Sequence, residues 1–279
     1  MRPSDDALPG AHLPALRLRY DGSAAGRSRV VPEEVAVALV HDGSTHAVMM
    51  ATPRDLEDFA VGFALTEGIV ERPDELGPVE VAPQAQGVEL RVWLAPEAAQ
   101  RHRARRRAMG GPTGCGLCGG ESREGARPVP RRVAAEVRLG PRDIEAALRA
   151  MPRAQVLGNA TRATHAAAAW SRARGLIALR EDVGRHNALD KLVGALARAG
   201  EPAPELVVIT SRVSVEMVQK AAVLGVPVLA AVSAPTSLAV ATAEAAGITL
   251  IAVARDDGFE VFTHAGRIAT AEGSSRDVA

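Results

Sequence analysis

Two cysteines in 279 residues are too few for a disulfide framework, and both fall in one short segment, Cys115-Gly116-Leu117-Cys118. With no second cysteine pair and no H-x-x-x-H partner, the four ligands of a structural zinc are not available, and no metal is expected. His102, His165, His186 and His264 stand singly along the chain. No H-x-E occurs and Pro112 is not adjacent to Cys115, so zinc-dependent deamination of the H-x-E and P-C-x-x-C type is unsupported. Net charge is also missing. The 33 basic and 33 acidic residues give a formal charge of +0, so nothing draws the chain as a whole toward nucleic acid or an anionic membrane. The acidic start Met1-Arg2-Pro3-Ser4-Asp5-Asp6 leads into no apolar run of a secretory signal, so a cytoplasmic location with reduced thiols is expected. The one long uncharged stretch, Ala221 to Ala243, is broken by Pro227, Ser233 and Pro235 and reads as a buried strand and helix rather than a membrane span.

What is present is a globular composition, 47% apolar, arranged in two dissimilar parts. Residues 1–28 mix Pro, Gly, Ser and charge without periodicity and read as a flexible N-terminal arm. Residues 29–108 read as a smaller, β-rich α+β lobe. In it, apolar runs at Val35 to Val40 and Ala47 to Ala51 form a hairpin, and a helix follows with Thr52 as N-cap and Pro53 at its first position. Val88 to Leu94 alternates as a half-buried strand. The basic run Arg101 to Arg107 reads as a solvated strand end or as a contact for phosphates or an acidic partner. A glycine-rich segment, 109–132, carries the cysteines and joins this lobe to a C-terminal lobe over 133–279.

In the C-terminal lobe Thr161 to Trp170 is ambiguous, its alanines favouring helix while a strand paired with Leu176 to Leu179 fits equally. Beyond it, apolar strands and helices alternate with short loops, the helices near 215–224 and 237–246 closed by Gly225 and Gly247. The pattern predicts an α/β lobe with a mostly parallel sheet and covering helices. Loops leaving the C-terminal ends of such strands open helices with unpaired N–H groups, which makes that rim an anion site. Three loops supply candidates: Gly184, Arg185, His186 and Asn187; Arg212 and Ser214 beside Ser211; and Ser233 with Thr236. Asn187, Ser214 and Thr236 are the expected N-caps, and a phosphate or pyrophosphate fits best. Glu216 and Lys220, a helical turn apart, read as a surface pair.

The residues around Cys115 and Cys118 leave several chemistries open. A thioredoxin-like dithiol opens a helix, and the glycines at 114, 116, 119 and 120 argue against one. A sulfur carrier needs a thiolate that can reach a donor and then an acceptor, and a glycine hinge meets that need. Redox chemistry, half of a metal site and inert thiols remain.

Taken together, Asp182-Val183-Gly184-Arg185-His186-Asn187-Ala188-Leu189-Asp190-Lys191, the Cys115 to Cys118 pair and Ser214-Val215-Glu216-Met217-Val218-Gln219-Lys220 resemble the formate dehydrogenase accessory sulfurtransferase family, FdhD. Val232 to Thr236, Thr52-Pro53 with Asp55, and Gly62-Phe63 with Glu67-Gly68 extend the resemblance over roughly 30–270. The resemblance implies a sulfurtransferase that takes persulfide sulfur from a cysteine desulfurase and delivers it to a molybdenum cofactor, bis(molybdopterin guanine dinucleotide), before insertion into formate dehydrogenase. The cofactor is a bound substrate here. It further implies a cytidine-deaminase-like second lobe, a homodimer, Cys115 as persulfide carrier and Cys118 as assisting thiol. By the same resemblance the cofactor segment falls on Val253, Ala254, Arg255, Asp256, Asp257 and Gly258. The competing reading keeps the cofactor site but makes the protein an insertion chaperone with passive cysteines. Three departures bear on cofactor grip. Thr161-Arg162-Ala163-Thr164-His165 stands where the family has T-G-G-T-H, Ser211 where glycine is common, and Gly258 where arginine is frequent.

Overall fold

The computed structural model describes residues 8–108 and 131–269, so Cys115 and Cys118 lie outside the described residues. The chain opens with an antiparallel ribbon of β1 (Gly10–Leu18) and β2 (Ala24–Pro32), paired from Gly10 with Pro32 to Leu18 with Ala24. The flexible N-terminal arm expected over 1–28 is instead, from residue 10 onward, a paired ribbon. No buried face announces these strands, because almost every side chain of the ribbon is exposed.

A four-stranded sheet follows, ordered β4 (Ser44–Ala51), β3 (Val35–His41), β6 (Gly87–Val92), β5 (Glu80–Gln84). Asp42 and Gly43 both take positive φ, 50° and 74°, the turn that lets β3 and β4 pair tightly. Helix α1 (Leu56–Thr66) covers one face with Phe59, Ala60, Phe63 and Ala64. It starts later than the Thr52-Pro53 signal suggests, because Asp55 adopts a left-handed conformation at its N-cap and Thr52 is engaged elsewhere. The run Arg101 to Arg107 belongs to helix α2 (Pro96–Ala108), not to a strand end. Ala98, Ala99 and His102 are its buried positions among the described side chains, and the His102 ring lies 5.9 Å from that of His41 and 5.2 Å from that of His46.

After helices α3 (Pro141–Ala154) and α4 (Val156–Thr161) comes a six-stranded sheet. Its elements are β7 (His165–Ser171), β8 (Gly175–Asp182), α5 (Arg185–Arg198), β9 (Leu206–Ile209), α6 (Val215–Leu224), β10 (Val228–Ala231), α7 (Ser237–Ala246), β11 (Thr249–Arg255) and β12 (Gly258–Val261). The order is β12-β11-β10-β9-β7-β8. Only β9, β10 and β11 pair in parallel; β7 inserts antiparallel between β8 and β9, and β12 closes the other edge antiparallel. The parallel part is thus narrower than the alternation of strands and helices implies, since a hairpin partner cannot be distinguished from a crossover strand by hydrophobicity alone. The ambiguous stretch 161–170 resolves as the end of α4 and the strand β7, whose alanines are buried from both faces.

Both faces of this sheet are covered. Val208, Val228, Ala230 and Ile251 pack with Ile144, Ala147 and Met151 of α3, while Val207, Ile209, Leu229 and Leu250 share the larger core with α1, α5, α6 and α7. The uncharged stretch 221–243 is divided between α6, β10 and α7, and among the described residues no helix is long and apolar enough to cross a membrane.

Candidate functional site

Strands β8, β9, β10 and β11 run the same way, so their C-terminal ends share one rim, with the first residues of the two opposed strands, His165 and Gly258, beside them. The loops on this rim are stitched together by backbone. Val213 donates to the Ala234 carbonyl at 3.2 Å, Thr236 to that of Val213 at 3.0 Å, and Val253 to that of Ser233 at 3.2 Å. The predicted residues Arg212, Ser214, Ser233, Thr236 and Val253 to Gly258 therefore lie on adjoining loops of this rim, and Gly184 to Asn187 follow β8 at the same end of the sheet.

Their roles divide by burial. Helix α5 is capped by Gly184, not Asn187: Asn187 lies within the helix, 2% exposed, and donates to the Met50 carbonyl at 2.9 Å and to Asp182 Oδ1 at 3.0 Å. Its amide nitrogen is spent inside the protein. Gly184 offers no side-chain cap, leaving the first-turn N–H groups of α5 open to an anion. Arg185 and His186 sit at that opening, and Arg185 Nε and His186 Nε2 are buried with no hydrogen-bond partner among the described residues. Such orphaned groups are what a ligand bearing phosphate oxygens would satisfy. Burial, followed by the nearby Arg185 and Lys220 charges, pulls the His186 imidazole down to about 4. His165 is shifted the same way by burial and Arg185. Both are neutral at pH 7, so the cationic charge of this corner is that of Arg185.

Ser214 caps α6 by position without a side-chain bond, whereas Thr236 Oγ1 accepts from Ala239 at the start of α7. Arg212 is exposed, and its carbonyl accepts from Ser211 Oγ at 3.1 Å. Arg255 is turned back, donating to the carbonyls of Val232 and Ala254, so it fastens two loops together rather than standing free. Val253 holds φ of 53° at a bulge in β11, a conformation a β-branched residue seldom takes. Asp256, Asp257 and Gly258 form the exposed turn beyond it.

Beneath the rim lie two buried ion clusters that reading the sequence missed. In the first, Asp182 Oδ2 accepts from Lys191 Nζ at 2.6 Å and from the Thr52 N–H at 3.0 Å, while Oδ1 accepts from the Gly184 N–H at 2.7 Å. Lys191 also donates to the Thr52 carbonyl at 2.9 Å, and Val183 donates to the Thr52 hydroxyl at 3.2 Å. Lys191 and Asp182 are wholly buried, and burial lowers the Lys191 pKa against the opposing pull of Asp182. In the second, Lys220 Nζ donates to Glu67 Oε1 at 2.8 Å, Thr66 Oγ1 at 2.9 Å and Asp190 Oδ2 at 3.1 Å. Lys220 is thus a buried partner of Asp190, not a surface partner of Glu216. Burial works to lower its pKa, but Asp190 and Glu67 outweigh burial and the ammonium stays above its usual value. The D-V-G-R-H-N-A-x-D-K spacing is the available signal for both clusters: it turns Asp182, Asn187, Asp190 and Lys191 inward and leaves Gly184, Arg185 and His186 at the mouth.

Among the described residues no group of three or more His, Cys, Asp or Glu is arranged to hold a metal ion. Of the predicted site residues, Cys115 and Cys118 alone lie outside the described structure.

Comparison with known proteins agrees with this architecture. A solved structure described as a putative formate dehydrogenase accessory protein from Desulfotalea psychrophila matches with a TM-score of 0.73 and 25% identity, over 93% of this chain and 99% of its own. The protein named Sulfur carrier protein FdhD in Agrobacterium fabrum is 55% identical over 250 residues, 89% of this chain and 92% of the relative. Its namesake in Xanthomonas campestris is 45% identical over 269 residues, 96% of this chain and 95% of the relative. The FdhD/NarQ family profile matches residues 32–269, both sheets and the cysteine segment between them, and this chain belongs to the FdhD/NarQ family.

Proposed function

We propose that this chain is a sulfur carrier of formate dehydrogenase maturation, acting as a sulfurtransferase through Cys115. The Cys115 thiolate attacks the terminal sulfur of a persulfide on a cysteine desulfurase; the donor's S–S bond breaks, its cysteine leaves as a thiolate, and the sulfane sulfur stays on Cys115 as a new persulfide. Cys118 is the assisting thiol. The acceptor is the molybdenum of bis(molybdopterin guanine dinucleotide), held as substrate on the C-terminal rim. The observation that carries this reading is the 55% identity to a relative named as a sulfur carrier, extending over 89% of the chain.

The rim's chemistry supports the substrate assignment. Arg185, Arg212 and the open first turns of α5 and α6 suit the phosphates of a guanine dinucleotide. Neutral His165 and His186 can hydrogen-bond phosphate oxygens or bridging waters without a further charge. Binding of GDP, as a probe for the guanine dinucleotide, tests this assignment separately from sulfur transfer. Replacing Arg185 or Arg212 with Ala should weaken it about ten- to a hundredfold, the cost of one charge-assisted hydrogen bond. Unchanged affinity in both variants would move the substrate off this rim.

A further inference from the structure

Helix α6 keeps most of its side chains in the core, with Met217, Val218, Lys220, Ala221 and Ala222 buried. Glu216 and Gln219 are half-buried and, a helical turn apart, share a face outside that core. Lys220 is turned away from Glu216, onto Glu67 and Asp190. The Glu216 carboxylate instead faces Arg185 and His186 at the opening of α5. Burial works to raise its pKa, but the nearby Ser214 hydroxyl, its own N–H, His186 and Arg185 outweigh burial and hold it below the usual carboxylate value. An ionised carboxylate thus stands beside the phosphate donors of the rim. Gln219 Nε2 is buried with no hydrogen-bond partner among the described residues. Ser214 Oγ, although close to Glu216, likewise lacks a partner in hydrogen-bond geometry, on a residue only 8% exposed.

A carboxylate beside Arg185 repels phosphate oxygens, so the part of a nucleotide that lies against it must present hydrogen-bond donors. The Watson–Crick edge of guanine carries N2–H, N1–H and the O6 acceptor in a row. Its two parallel donors match one carboxylate, and O6, next along the edge, matches an amide donor one helical turn away. Adenine sets an acceptor, N1, where guanine has a donor, and cytosine does the same with N3. Either base would turn a lone pair toward Glu216 and leave polar groups of a half-buried site unpaired.

From this geometry we infer that Glu216 and Gln219 select the base of the rim nucleotide, Glu216 accepting from the guanine N1–H and N2–H and Gln219 donating to O6. The inference rests on the reading that a guanine dinucleotide binds this rim. Calorimetric binding of GDP, inosine diphosphate and ADP to the full chain tests it, because inosine diphosphate differs from GDP only in lacking the 2-amino group. Wild type should bind GDP about tenfold or more tightly than inosine diphosphate, and inosine diphosphate more tightly than ADP. Glu216→Gln keeps the shape but loses the carboxylate, and should reduce the preference for GDP over inosine diphosphate to about threefold or less. Gln219→Ala should weaken GDP and inosine diphosphate alike, by about tenfold, and leave ADP unchanged. Pyrophosphate, which has no base, should bind both variants at least as tightly as wild type. A ratio of GDP to inosine diphosphate affinity unchanged in Glu216→Gln would overturn the inference, since a residue that only tunes the charges of Arg185 and His186 alters every ligand by one factor. Wild type that binds pyrophosphate without distinguishing GDP from inosine diphosphate would overturn it as well. Wild type that binds none of these ligands would strike the cofactor reading itself, and the inference with it.

Discussion

His186 illustrates how one residue ties the rim to solution conditions. Its imidazole is pulled from 6.5 to about 4 in the folded chain, first by burial and then by Arg185 and Lys220. As pH falls, the unfolded chain takes up the proton first, so this contribution to stability is complete above about pH 6.5 and is lost progressively down to about pH 4. His165 adds a loss of the same sign. His186→Gln should flatten the fall in urea midpoint between pH 7 and pH 4.5, and an unaltered slope would show that other groups govern it. Lys220 makes a sharper case. Lys220→Met leaves Asp190 buried without its cation and should cost roughly 3–5 kcal/mol by urea unfolding, with much of the loss recovered when Asp190→Leu is added. A Lys220→Met variant as stable as wild type would refute the buried pair. Residue identities on the rim were legible in the sequence; which of them faced inward was not. Asp190 meets Lys220 across thirty positions and two helices, and no local spacing reports such a pair. Asn187 was misread as a cap for the same reason, because Gly184 already occupies the extended cap position and turns Asn187 toward Met50.

Among the elements, the crossing of α1 and α5 decides how closely the two sheets approach the shared core. A Cβ at Gly62 would come 1.7 Å from the Asp190 carbonyl oxygen, and one at Gly194 would come 1.9 Å from that of Asp58. The two glycines therefore let the helix backbones touch, and Gly62→Ala must drive them apart. A loss of about 1–3 kcal/mol or more is expected in chemical denaturation, together with weaker GDP binding, since α5 carries Arg185. Stability equal to wild type would mean that the helices do not cross at this contact. The order of strands and helices from residue 175 onward was legible because apolar runs alternate with helices closed by Gly225 and Gly247. Direction was less so. The strand β7 inserts between β8 and β9, and its run of alanines satisfies either helix propensity or a strand buried on both faces. The start of α1 was misplaced because Thr52 carries a cap residue's chemistry but spends it on Val183, holding β4 against the start of α5.

At the scale of the molecule, both ion clusters join the first sheet and its helix to the rim of the second. Thr52 meets Asp182 and Lys191, and Thr66 with Glu67 meets Lys220 and Asp190. The surface that presents Arg185, His186 and Arg212 is thus set by contacts from both halves of the chain, and the cysteine segment lies between those halves in sequence. The central claim is that Cys115 carries sulfur, and intact mass after incubation with a cysteine desulfurase and cysteine tests it most directly. The account predicts a reductant-sensitive gain of one sulfur atom in wild type and in Cys118→Ser, absent in Cys115→Ser. A gain that persists in Cys115→Ser, or no gain in any form with the desulfurase active and the thiols reduced, would contradict it.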